Sequence, residues 1–167
     1  MLDNILDGLA EVCVTNKMQI ATAESCTGGL VAKLITDRPG SSLWFERGFV
    51  TYSNLAKEQM LGVKRSLLDE WGAVSEPVAE AMAEGVLKHS PAQFSLSITG
   101  IAGPDGGTDE KPVGTVCFGW AYPGEQGKTI SFMTTTERFS GNREAIRTQS
   151  AIFSLQQLLQ IMSSSIT

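Results

Sequence analysis

Ser42, Tyr52 and Lys57 together could cleave an acyl bond without a histidine. The 167-residue chain holds one imidazole, His89, so a Ser-His-Asp or Cys-His site would have to be built around that residue alone. A serine nucleophile then needs another base, and a desolvated lysine can supply it, because burial disfavours the ammonium form. Lys57 falls near the start of an expected helix, just beyond a strand that ends at Tyr52. The positive helix end there also favours deprotonation, and Tyr52 could pass a proton or hold the amine. A lysine in such a position is otherwise a solvated surface charge. Gly40-Ser41-Ser42 brings a serine into the same stretch of chain.

Two further loops gather small and polar residues directly after expected strands, where ligand sites of α/β proteins collect. Glu24-Ser25-Cys26-Thr27-Gly28-Gly29 opens a helix whose first amides could meet an anion, or it is simply a capped strand-to-helix turn. Thr99-Gly100-Ile101-Ala102-Gly103-Pro104-Asp105-Gly106-Gly107-Thr108 carries more glycine than a turn requires, which predicts close approach of backbone to a ligand. It matches neither the mononucleotide nor the dinucleotide fingerprint. Asp105, Asp109 and Glu110 could hold a hard cation, although acids in a glycine-rich loop are commonly just solvated. Cys26 at a helix start could have a lowered pKa or be a small packed residue. The three cysteines, Cys13, Cys26 and Cys117, lie far apart without a CxxC pair, which argues against zinc and for reduced thiols in a cytoplasm.

The elements that must position these loops alternate. Helices are expected over 2–16, 30–36, 54–61, 64–71, 76–88 and about 142–162, and strands over 18–23, 45–52, 94–98, 114–122 and 129–136. Ser75 before Glu76-Pro77 reads as an N-cap, and Gly62 and Gly72 as helix stops. That order predicts a three-layer α/β/α domain with a mixed sheet, one unit over 1–167. The formal net charge of −5 argues against a nucleic-acid surface, and no apolar run is long enough to span a membrane. Ile146, Ile152, Leu155, Leu158 and Leu159 on the last helix make a homo-oligomer an expectation.

The combined motifs are more specific than any loop alone. Ala23-Glu24-Ser25-Cys26-Thr27-Gly28-Gly29, Gly40-Ser41-Ser42, Arg47-Gly48-Phe49-Val50-Thr51-Tyr52-Ser53-Asn54, Gly72-Ala73-Val74-Ser75-Glu76, Gly100-Ile101-Ala102-Gly103-Pro104-Asp105-Gly106-Gly107, Lys111-Pro112-Val113-Gly114-Thr115-Val116 and Phe139-Ser140-Gly141-Asn142-Arg143 occur in this order over nearly the whole chain. The set resembles the CinA C-terminal domain family. The resemblance implies hydrolysis of the carboxamide of nicotinamide mononucleotide to nicotinate mononucleotide and ammonia, a step of the pyridine nucleotide cycle, without metal or organic cofactor. It implies Ser42 as nucleophile with Lys57 as base and Tyr52 assisting, Ser25 being the competing nucleophile. It further implies Thr27, Gly28, Gly29, Thr99, Gly100 and Gly103 around the substrate, with Arg143 on its phosphate. Two other classes stay open: a non-catalytic nucleotide-binding paralogue serving competence or the DNA-damage response, and a magnesium-dependent phosphoryl-transfer enzyme using the acids of 105–110.

Overall fold

The computed structural model describes residues 1–166. Helix α1 (Leu2–Asn16) leads into strand β1 (Ile20–Glu24), then α2 (Leu30–Thr36) and β2 (Phe45–Val50). Three helices follow: α3 (Asn54–Leu61), α4 (Arg65–Trp71) and α5 (Glu76–Lys88). Strands β3 (Phe94–Gly100), β4 (Thr115–Pro123) and β5 (Ile130–Arg138) precede the long α6 (Arg143–Ile166). Each expected element is present. The deviations lie at the ends: β3 runs on through Thr99 to Gly100, and β2 stops at Val50, before Tyr52.

The five strands form one mixed sheet in the order β2-β1-β3-β4-β5. β1 pairs in parallel with both β2 and β3, whereas β4 and β5 extend the sheet antiparallel. β1 is buried along its whole length, which explains the small and apolar residues of Ile20-Ala21-Thr22-Ala23 before the buried Glu24. Its alternate side chains feed two cores. Ile20 joins a cluster with α1, α2 and α6, while Ala21 and Ala23 join one with α3 and α5. The chain therefore leaves β1 towards opposite faces of the sheet, and the carboxyl end of β1 lies at the topological switch point where such folds bind ligands.

Ser75 caps α5 by accepting from Val78 N, as the sequence predicts, and Ser95 and Ser97 of β3 donate to Ala83 O and Ala79 O of that helix. These small residues let α5 lie close on the sheet. On the other face, Ile146, Leu155 and Leu158 of α6 are buried in the protein's own core, and Ile152 and Leu159 are half-buried. The apolar stripe on which self-association was expected is thus largely consumed within the chain. No helix among the described residues is long and apolar enough to cross a membrane.

Candidate active site

The carboxyl ends of β1, β2 and β3 and the first turns of α3 and α6 converge on a cavity of about 250 Å³. Ser25, Tyr52, Lys57, Thr99, Gly100 and Arg143 line it, together with Cys26, Asn54, Ala73, Val74 and Ala102. Ser25 follows the last residue of β1 and is held there by its amide, which donates to Ile98 O of β3. Ser53 caps α3, its hydroxyl accepting from Ala56 N, and this sets the helix so that Lys57 on the first turn points inward.

Lys57 is 1% exposed, and its Nζ donates to Ser25 Oγ at 3.1 Å and to Thr51 O at 3.0 Å, with Tyr52 O at 3.4 Å. Burial drives the lysine pKa below its usual 10.5, while the nearby Cys26 acts in the opposite direction. In the neutral amine, two N–H bonds can serve the two carbonyls, leaving the lone pair for the Ser25 proton. Among the described residues no ion pair or carboxylate hydrogen bond involves Lys57. The arrangement can therefore activate Ser25 as a nucleophile.

Ser42 is not brought to this lysine. Its turn sits at the opposite end of β1, where Trp44 O accepts from Ile20 N, whereas Ser25 lies beyond Glu24. At a strand rise of about 3.3 Å per residue, roughly 15 Å separates the two ends. The sequence order placed Ser42 before the strand and Lys57 after it, and a strand carries the chain straight away from its starting point. Tyr52 also contributes differently from expectation. Its backbone carbonyl, not its phenol, faces the amine, and the phenol oxygen accepts from Arg143 Nη2 at 3.4 Å.

The other residues singled out separate into two groups. Thr99, 1% exposed, donates from Oγ1 to Ala73 O and lines the cavity with Gly100 from β3, the strand paired beside β1. Arg143 sits at the rim and donates from Nη1 to Gly103 O at 2.7 Å. Thr27, Gly28, Gly29 and Gly103 do not line the cavity. Thr27 is fully buried with an unpartnered hydroxyl among the described residues. Gly103 is required by packing: a Cβ there would stand 2.4 Å from Val113 Cγ1, at φ +78°. At Gly107 a Cβ would stand 2.7 Å from Val113 N, so close packing on Val113 of the same loop, rather than on a ligand, accounts for both glycines.

The start of α2 is not an open anion site either. The buried Glu24 carboxylate already accepts from Val31 N at 2.8 Å and Ala32 N at 3.1 Å. Glu24 lies five residues before the Gly29 cap of α2, so no local cap pattern marks it; the fold of the loop brings its carboxylate back to the helix. Glu24→Ala leaves two helix amides unpaired and should lower stability by about 2–3 kcal/mol in urea denaturation. An unchanged midpoint would show that these bonds contribute nothing.

Cys26 is not an activated thiol. Burial pushes it up to about 12, with Glu24 acting in the same direction against the lowering effects of the local backbone, Arg147 and Lys57. His89 is remote, its Nδ1 beside Gly85 O. Among the described residues no three of His, Cys, Asp and Glu are grouped to hold a metal ion, and Asp105, Asp109 and Glu110 are exposed. A larger groove of about 770 Å³ lies between α4 and α5 around Leu67, Glu70, Glu80 and Glu84, but no buried nucleophile or base opens into it.

A mixed α/β sheet with a buried serine–lysine contact at its switch point defines the class of structure. The family model described as the CinA C-terminal domain matches residues 3–162, and the chain belongs to that family. It is 57% identical over 141 residues to the nicotinamide-nucleotide amidohydrolase PncC of Enterobacter agglomerans, covering 84% of this chain and 83% of the relative. The PncC of Escherichia coli K12 is equally similar, at 57% over 84% of this chain and 82% of its own. A crystal structure of a competence-damaged protein (CinA) superfamily protein from Escherichia coli superposes with a TM-score of 0.88 at 35% identity, over 96% of this chain and 90% of the other.

Proposed function

We propose that this protein hydrolyses the carboxamide of nicotinamide mononucleotide to nicotinate mononucleotide and ammonia, with Ser25 as nucleophile and Lys57 as base. The observation that carries the proposal is the buried 3.1 Å contact between Lys57 Nζ and Ser25 Oγ inside a cavity. Similarity to relatives named nicotinamide-nucleotide amidohydrolase supplies the substrate. Ser25 Oγ attacks the carboxamide carbon as Lys57 takes its proton, and the carbonyl oxygen becomes an oxyanion. Collapse of the tetrahedral intermediate breaks the C–N bond, with the Lys57 ammonium passing the proton to nitrogen, so ammonia leaves and an ester to Ser25 remains. A water then attacks that ester, with Lys57 again accepting the proton and returning it to Ser25 Oγ.

Arg143 at the rim meets the phosphate, a favourable pairing because the guanidinium can present two parallel donors. The remaining substrate charge, a cationic pyridinium, is compatible with a chain of net charge −5. Thr99 and Asn54 offer polar groups to the carboxamide and the ribose. No cofactor enters this scheme. Cys13, Cys26 and Cys117 are free and buried, which fits a reducing cytoplasm.

The test is ammonia release from nicotinamide mononucleotide in the presence of EDTA. The expected result is stoichiometric nicotinate mononucleotide and ammonia at a rate unaltered by chelation. Absence of release from folded protein would overturn the proposal in favour of a nucleotide-binding paralogue. Release that requires added magnesium would overturn the metal-free mechanism.

A further inference from the structure

Arg147 takes no part in the scheme above, yet it is bound to the loop that carries Ser25. From the second turn of α6 its Nε donates to Cys26 O at 3.0 Å and its Nη2 to Thr27 O at 3.0 Å. The guanidinium thus clamps two successive carbonyls immediately after the serine, in a fork that only arginine provides. Gly28 belongs to the same arrangement. It adopts φ +58°, a left-handed conformation that favours glycine, with its Cβ position 3.4 Å from Arg147 Nη2.

Peptide planarity gives this clamp a consequence. In a trans peptide the C=O and the following N–H point in opposite directions. Ser25 O is engaged by Gly28 N, so the N–H of Cys26 points away from that turn. Thr27 O is engaged by Arg147, which sets the Thr27–Gly28 peptide so that Gly28 N reaches Ser25 O. Arg147 does not line the cavity, whereas Ser25 and Cys26 do. Among the described residues the Cys26 amide donates to no carbonyl and to no other residue's side chain, only its own thiol lying beside it.

We infer that Arg147 is a positioning residue that, by holding the Thr27–Gly28 peptide whose N–H binds Ser25 O, orients the Cys26 amide as a donor to the oxyanion formed when Ser25 attacks. The inference rests on Ser25 being the nucleophile. Donors of this kind act on the transition state and little on the bound substrate, so their loss appears in kcat with KM nearly unchanged.

The experiment uses wild type, Arg147→Met and Arg147→Lys in two assays. One measures kcat and KM for ammonia release from nicotinamide mononucleotide. The other measures the rate at which a fluorophosphonate labels Ser25, followed by intact mass, because phosphonylation also builds negative oxygen at the same place. Arg147→Met is expected to lower kcat by about 10²-fold, the scale of one lost oxyanion donor, with KM within about threefold. Labelling should slow in parallel. Arg147→Lys, which can still donate to one carbonyl, should recover part of both rates. A folded Arg147→Met protein with unchanged kcat and labelling would overturn the inference. So would a lysine variant as impaired as the methionine variant, or a loss confined to KM. If wild type is labelled at Ser25 but releases no ammonia, the substrate assignment fails and the labelling rates alone decide the role of Arg147. If wild type is not labelled, the nucleophile assignment and the inference fall together.

Discussion

Ser25→Ala is expected to lower ammonia release by about 10⁴-fold or more, the scale on which removal of a covalent nucleophile acts, while Ser42→Ala leaves turnover unchanged. The contrast follows from placement. Ser25 Oγ is 3.1 Å from a buried amine, whereas Ser42 is exposed beside the amino end of β1, where its neighbour Trp44 is held by Ile20. The alanine change at Ser25 removes one hydroxyl from a cavity wall and leaves the Ser25 N to Ile98 O bond intact, so the fold should survive. Steady-state rates of the two variants, with circular dichroism to verify folding, decide the matter. A Ser25→Ala enzyme retaining a tenth of wild-type turnover, or a Ser42→Ala enzyme that is dead, would reverse the nucleophile assignment.

Lys57→Met should lower kcat by about 10²–10⁴-fold, the usual contribution of a general base. Methionine keeps the length of the side chain but offers neither a proton acceptor nor donors for Thr51 O and Tyr52 O. The lysine works as the neutral amine, so kcat/KM of wild type rises with pH until Lys57 has lost its proton and then levels off. Because burial holds its pKa below 10.5, the plateau arrives at a lower pH than an exposed lysine would permit. The same shift has a stability consequence of fixed sign. Folding penalises the ammonium, and the penalty is complete below the folded-state pKa. Between that value and the unfolded value the unfolded chain binds more protons, so this contribution to stability improves with rising pH. A flat pH–rate profile, or a Lys57→Met variant that keeps the wild-type profile, would remove Lys57 from the mechanism.

Much of the architecture was legible because it is written in local patterns. The alternation of strands and helices, the Ser75 cap followed by Pro77 and the glycine stops after α3 and α4 depend on residues near one another in the chain. Where boundaries moved, pairing decided: Thr99 and Gly100 extend β3 because Cys117 and Val116 of β4 lie opposite them. Likewise, the apolar face of α6 announced burial without naming what it would pack against.

The site divides along the same line. The chemical inventory follows from residue types alone. A single histidine, a lysine at a helix start and serines in strand-flanking loops point to amine-assisted serine chemistry, and the motif set points to the family. Which serine meets the lysine was decided only by tertiary structure. Ser42 is 15 positions from Lys57 and Ser25 is 32, yet parallel pairing of β1 with β2 brings the ends of both strands to one edge, next to α3. Tertiary structure likewise turned Glu24 into a cap, closed the amides of α2 to anions and brought Arg147 from 120 residues away onto the loop after Ser25. Separation along the chain carries no information about such contacts, because strand register and helix docking set them, and these depend on the packing of the whole core.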